Sequence, residues 1–144
     1  DYIEENGGDP VELETLLRES DFVTLHPRLP VGVKDFIGAK EFALMKQTAY
    51  LINTSRGNAV DHAALYEALK NGRIAGAALD VYELEPLSPD DRLLRLENIT
   101  FTPHIAGTTR EMPLRTAQII AEDLERFIRG ERPIHIQNPS VYRS

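Results

Sequence analysis

A chain of 144 residues with 42% hydrophobic content has room for one core, so composition points to one domain or part of one. A formal charge of −7 and a pI near 5.1, with no clustered Lys/Arg face, argue against DNA or RNA as the main partner; a small anion held by one well-placed arginine stays open. With zero cysteines, no disulfide framework or thiolate chemistry is available, and neither a membrane-spanning apolar run nor a basic-then-apolar leader is present, so a soluble, cytoplasmic protein with no membrane partner is expected.

In chain order, Asp1 to Gly8 reads as the tail of a helix ending at Gly7-Gly8. Val11 to Glu19 is amphipathic, Phe22 to Leu25 is a short apolar run, and Ala39 to Met45 is helical again. Ala49 to Ile52 reads as a strand. Asp61 caps a helix running to about Lys70, which Asn71-Gly72 stops. Ile74 to Leu79 and Ile99 to Phe101 are two further strands, and Thr109 to Arg129 is a long final helix with Gly130 just past its end.

Short strands that are apolar on both faces and alternate with helices suit a parallel sheet covered on both sides, so the expected class is doubly wound α/β. Ligands of such sheets bind at the carboxyl ends of the strands. His26, Arg56, Asp80 and His104 each follow or end a strand there. The guanidinium of Arg56 (I-N-T-S-R-G) can grip a carboxylate bidentately. Glu85 (L-D-V-Y-E-L-E-P) can hold His104 (F-T-P-H-I-A-G) and favour its imidazolium form, so that the ring exchanges a proton with a hydroxyl or carbonyl oxygen. Pro103 and Gly107 flank that histidine in what reads as a rigid turn with close backbone approach; His62 and His135 read as structural.

The segments S-D-F-V-T-L-H-P-R-L, M-K-Q-T-A-Y-L-I-N-T-S-R-G-N-A-V-D, G-A-A-L-D-V-Y-E-L-E-P and N-I-T-F-T-P-H-I-A-G-T resemble the NAD-binding domain of the D-isomer-specific 2-hydroxyacid dehydrogenases, the group that includes phosphoglycerate dehydrogenase. The resemblance covers nearly the whole chain. It implies that Arg56 is the substrate-carboxylate arginine, His104 the proton donor, and Glu85, directly before Pro86, its carboxylate partner, with Glu83 left as a solvated charge. It also implies that Asp80 contacts the nicotinamide carboxamide, that Thr54 and Ser55 make backbone-mediated nicotinamide contacts, that Leu25 and His26 line the adenosine side, and that Gly107 belongs to the cofactor site. Gly57 and Gly76 read as backbone necessities, for a turn and for close strand packing.

Two departures stand out. After L-H the family reads x-P-L-T, whereas this chain has Pro27-Arg28-Leu29-Pro30 and so lacks the threonine hydroxyl at Pro30. The family's G-x-G-x-x-G phosphate turn appears nowhere among the nine glycines, nor is the acidic ribose ligand present. The chain is therefore expected to be the C-terminal part of a Rossmann-like sheet lacking the first β-α-β unit. Residues 1–132 would be a partial NAD-binding domain and 133–144 (from P-I-H-I-Q-N-P) a segment returning to the substrate domain. The function implied is oxidoreduction of a small D-2-hydroxy or 2-keto acid with NAD, NADP not being excluded, by a homodimer; the fragment alone is expected to be inactive. An NAD-sensing co-repressor of the same family is the alternative.

Overall fold

The computed structural model describes residues 2–30 and 32–142, so Asp1, at the start of the expected helix tail, lies outside them. The chain falls into two compact units, Asp1–Ala106 and Gly107–Ser144. In the first, α1 (Tyr2–Glu5) ends at Gly7, whose φ of 80° is the left-handed stop that glycine favours. There follow α2 (Leu13–Glu19), β1 (Phe22–Leu25), α3 (Ala39–Leu44), β2 (Tyr50–Asn53), α4 (His62–Lys70), β3 (Gly76–Leu79) and β4 (Ile99–Phe101).

The four strands form one parallel sheet in the order β1-β2-β3-β4. Each step moves to the next strand in the same direction, so right-handed crossovers place the connecting helices on one face. That face is the core: Val23, Leu25, Leu51 and Leu79 of the strands pack with Leu17 of α2, Phe42 of α3, and Leu65, Ala68 and Leu69 of α4. The four parallel strands with their helices match the expected Rossmann-like α/β class, and alternate strand residues point to the opposite face of the sheet. Phe22, 67% exposed, and Tyr50, 45% exposed, stack on that face with ring centroids 5.7 Å apart.

The ends of the elements follow from local chemistry. Asp61 Oδ1 accepts from the Ala63 and Ala64 amides at 2.8 and 3.0 Å, which starts α4, and Gly72 at φ 61° ends it. Helix α2 begins two residues later than the amphipathic pattern suggests, since Val11 is half exposed and adds nothing to the buried stripe. Strand β3 begins at Gly76 instead of Ile74 because its neighbour offers a ladder only from Tyr50 onward. A Cβ on Gly76 would lie 2.7 Å from the Tyr50 ring and 2.9 Å from the Asn98 carbonyl, so the close packing expected there is present.

In the second unit, α5 (Met112–Ile128) starts later than Thr109, because Pro113 is tolerated only in a first turn. Gly130 at φ 73° closes it. None of its residues is buried. Asp123 fastens the following segment by accepting from the Ile134 amide at 2.7 Å and the His135 amide at 3.0 Å.

Candidate active site at the carboxyl edge of the sheet

The turns leaving β2, β3 and β4 carry the residues of interest, and backbone and buried side chains fix each turn. After β2, fully buried Asn53 accepts from the Ser55 amide (3.0 Å) and Ser55 Oγ (2.9 Å) and donates Nδ2 to the Arg56 carbonyl (2.9 Å). This brace shapes Thr54, Ser55 and Arg56 into one turn. Arg56 donates Nη1 to the Ser55 carbonyl at 2.7 Å and forms no ion pair with an acid among the described residues. Its exposed fork therefore has donors to spare, unlike a surface arginine held in a salt bridge.

Gly57 locks this turn to the next. A Cβ there would lie 1.9 Å from the Tyr82 carbonyl carbon and 2.4 Å from the Glu83 nitrogen, so no side chain fits. At Gly107 a Cβ would meet nothing within 4 Å among the described residues. Gly107 lies in the second unit.

After β3, Tyr82 ties three pieces together. Its hydroxyl donates to the Thr102 carbonyl at 2.7 Å and approaches the Leu79 carbonyl at 3.2 Å, while its amide donates to Glu85 Oε1 at 3.1 Å. Burial, then the nearby Asp80 charge, raises the phenol pKa, so the hydroxyl stays a donor. Glu85 Oε2 lies 2.8 Å from His104 Nδ1. A carboxylate only accepts, so Nδ1 carries the proton, and Nε2 has no partner among the described residues. The His104 hydrogen bond first, and the Tyr82 amide second, lower the Glu85 pKa and keep it ionised. Glu83 is exposed, and the loop's bonds go to Glu85, as the Pro86 position implied.

His104 itself sits at φ 58°, a left-handed conformation costing a non-glycine residue roughly 1–3 kcal/mol. Asp80, only 3% exposed, braces that turn: Oδ1 accepts from Thr102 Oγ1 (2.5 Å) and the Ile105 amide (2.9 Å), and Oδ2 from the Ala106 amide (2.9 Å). The Thr102 bond leads in lowering the Asp80 pKa, with the two amides adding to it against the opposing effect of burial. An open cleft of about 500 Å³ lies against His104 and Glu85, walled by Tyr82, Pro86, Leu87, Leu94 and Phe101.

The structure thus joins Glu85 and His104 directly and links Arg56 to them through Gly57 and Tyr82. His26 is exposed after β1 with Nε2 2.9 Å from Thr24 Oγ1, while the Leu25 side chain is in the core, so only the Leu25 backbone can face a ligand. Asn53, Tyr82 and Thr102 were not among the sequence candidates. The signal available was their adjacency to motif residues at strand ends. No group of three His, Cys, Asp or Glu that could hold a metal exists among the described residues, and no described helix is long and apolar enough to cross a membrane.

Known proteins match both the sequence and the fold. The model of the D-isomer specific 2-hydroxyacid dehydrogenase NAD binding domain matches residues 1–106. A glyoxylate reductase of Korarchaeum cryptofilum is 50% identical over 143 residues, 99% of this chain and 43% of the relative. The NAD-complexed D-isomer specific 2-hydroxyacid dehydrogenase of Lactobacillus delbrueckii ssp. bulgaricus superposes with a TM-score of 0.82 at 35% identity, over 92% of this chain and 44% of that one. Its counterpart from Xanthobacter autotrophicus Py2, in complex with NADPH and MES, gives 0.78 at 34% identity over 90% and 52%. The chain spans about half or less of the length of these proteins. It belongs to the D-isomer specific 2-hydroxyacid dehydrogenases and carries sequence of their NAD-binding domain.

Proposed function

We propose that the protein carrying this domain interconverts a small D-2-hydroxy acid and its 2-keto acid using a nicotinamide cofactor. The observation that carries this reading is the His104–Glu85 pair, 2.8 Å apart, with Nε2 left free at the carboxyl edge of the sheet. Arg56 grips the substrate carboxylate through its unpaired donors, a charge-assisted interaction of about 1.5–3 kcal/mol. When bound, the nicotinamide supplies or accepts the hydride at C2. His104 gives the Nε2 proton to the carbonyl oxygen during reduction, and neutral Nε2 takes the hydroxyl proton during oxidation. Glu85 holds the ring by Nδ1 throughout and offsets the charge of the imidazolium.

By resemblance, Thr54 and Ser55 after β2 and Asp80 after β3 serve the nicotinamide half of the cofactor, Leu25 and His26 at the end of β1 the adenosine side, and Gly107 the cofactor site. No G-x-G-x-x-G phosphate turn is encoded among the nine glycines. We therefore expect these 144 residues alone to bind NAD weakly and to turn over no substrate. The same reading places the protein in the cytoplasm as a homodimer, with 133–144 leading back to a substrate domain; light scattering tests the dimer. The test of function is a screen of 2-keto acids with NADH and NADPH on the protein bearing this domain, repeated with Arg56→Ala. Reduction of at least one keto acid, with a KM raised in the variant, is expected. NADH binding without reduction of any keto acid would instead favour a sensor.

A further inference from the structure

We propose that Asp80 is a positioning residue for the proton donor: from the end of β3 it fixes the left-handed turn at His104, leaving Glu85 only the ring to hold. The kinetic consequences of this role rest on the dehydrogenase reading, the structural ones on geometry alone. The three groups bonded to the Asp80 carboxylate are Thr102, Ile105 and Ala106, which bracket His104 on both sides. Asp80 is itself anchored, since its amide donates to the Asn53 carbonyl of β2 at 3.0 Å. A carboxylate offers about four lone-pair sites; three are filled internally by the turn, and one is left for a carboxamide.

The same device occurs one strand away. Asn53 and Asp80 are the buried polar residues among those described, and each ends or follows a strand and clamps the turn that bears a site residue, Arg56 in one case and His104 in the other. Buried polar groups are stable only when fully paired, so both clamps make sense as geometry-setting bonds. At Asp80 an asparagine would keep the size but present an NH₂ group to an N–H donor.

The test uses long-range ¹⁵N NMR of the His104 ring in the 144-residue chain, with Asp80→Asn and Thr102→Val. The wild type should show a single tautomer protonated at Nδ1. Asp80→Asn should give a ring exchanging between tautomers, and Thr102→Val, which removes one of three bonds, a partial change; if Asp80→Asn fails to fold, Thr102→Val decides. An unaltered ring pattern in the folded variants overturns the proposal. In the enzyme bearing this domain, Asp80→Asn should lower kcat by about 10²-fold, far more than it raises the cofactor Kd. It should cost nothing further in a His104→Ala background. A raised cofactor Kd with kcat retained would assign Asp80 to nicotinamide binding. Absence of turnover in the wild type would defeat the dehydrogenase reading alone, because the NMR result stands without it.

Discussion

Among the described residues there are two histidine–carboxylate pairs, one in each unit, and they are built differently. His104 Nδ1 lies 2.8 Å from Glu85, whereas His135 Nδ1 lies 3.4 Å from Asp123. Asp123 also accepts the Ile134 and His135 amides, so one carboxylate holds both backbone and ring. Those bonds outweigh the opposing effect of burial and lower its pKa. In the first unit the duties are divided: Asp80 takes the amides beyond His104, and Glu85 takes the ring. A histidine needed only to close a turn can share a single anchor. One whose free nitrogen must meet a ligand benefits from a backbone held independently of its ring partner.

The largest expected effect separates the pairs by function. Glu85→Gln should lower keto-acid reduction by about 10²-fold or more, the lower end of what a positioned acid–base group contributes. Asp123→Asn should leave steady-state kcat unchanged. Equal effects of the two substitutions would erase the distinction. Next comes Gly57→Ala, which forces a methyl group into the Tyr82 backbone and should destabilise the first unit by about 1–3 kcal/mol or more, read as a lower urea midpoint. Asp61→Ala removes the α4 cap and should cost about 1 kcal/mol in the same assay, with the Glu85–His104 pair intact.

The smallest effect is one of pH. Burial lowers the His62 pKa below its ordinary 6.5, and its Nε2 is buried without a partner among the described residues. The folded state therefore prefers neutral imidazole. Its contribution is fully present above pH 6.5 and fades as pH falls toward the lower folded value. The depressed Glu85 and Asp80 act in a more acidic window: their contributions are present above about 4.5 and 3.8, respectively, and are lost as pH falls through the still lower folded values. Thermal melts should thus show a decline starting below pH 6.5 that His62→Gln removes, and a later decline that it leaves in place.

Much of this was readable from residue order. The β2, β3 and β4 regions, the Asp61 cap and the Glu85-before-Pro86 choice follow from apolar runs, turn residues and family spacing, because each is decided by a few neighbouring residues. What escaped depended on distant partners. Nothing in V-Y-E reveals that Tyr82 reaches Thr102, twenty positions away, or that Gly57 faces its carbonyl. Likewise, strand composition alone does not give the order β1-β2-β3-β4, whose single direction places the connecting helices of the first unit on one face. Asp80 was seen as a site residue by its position, but its three internal bonds became visible only in three dimensions.

The most direct measurement is a single-turnover one: NADH oxidation by a 2-keto acid such as glyoxylate, comparing the protein bearing this domain with its His104→Ala variant. If His104 supplies the proton at Nε2, the hydride-transfer rate falls by about 10²- to 10⁴-fold while NADH still binds. An unchanged rate in the variant would contradict the account at its centre.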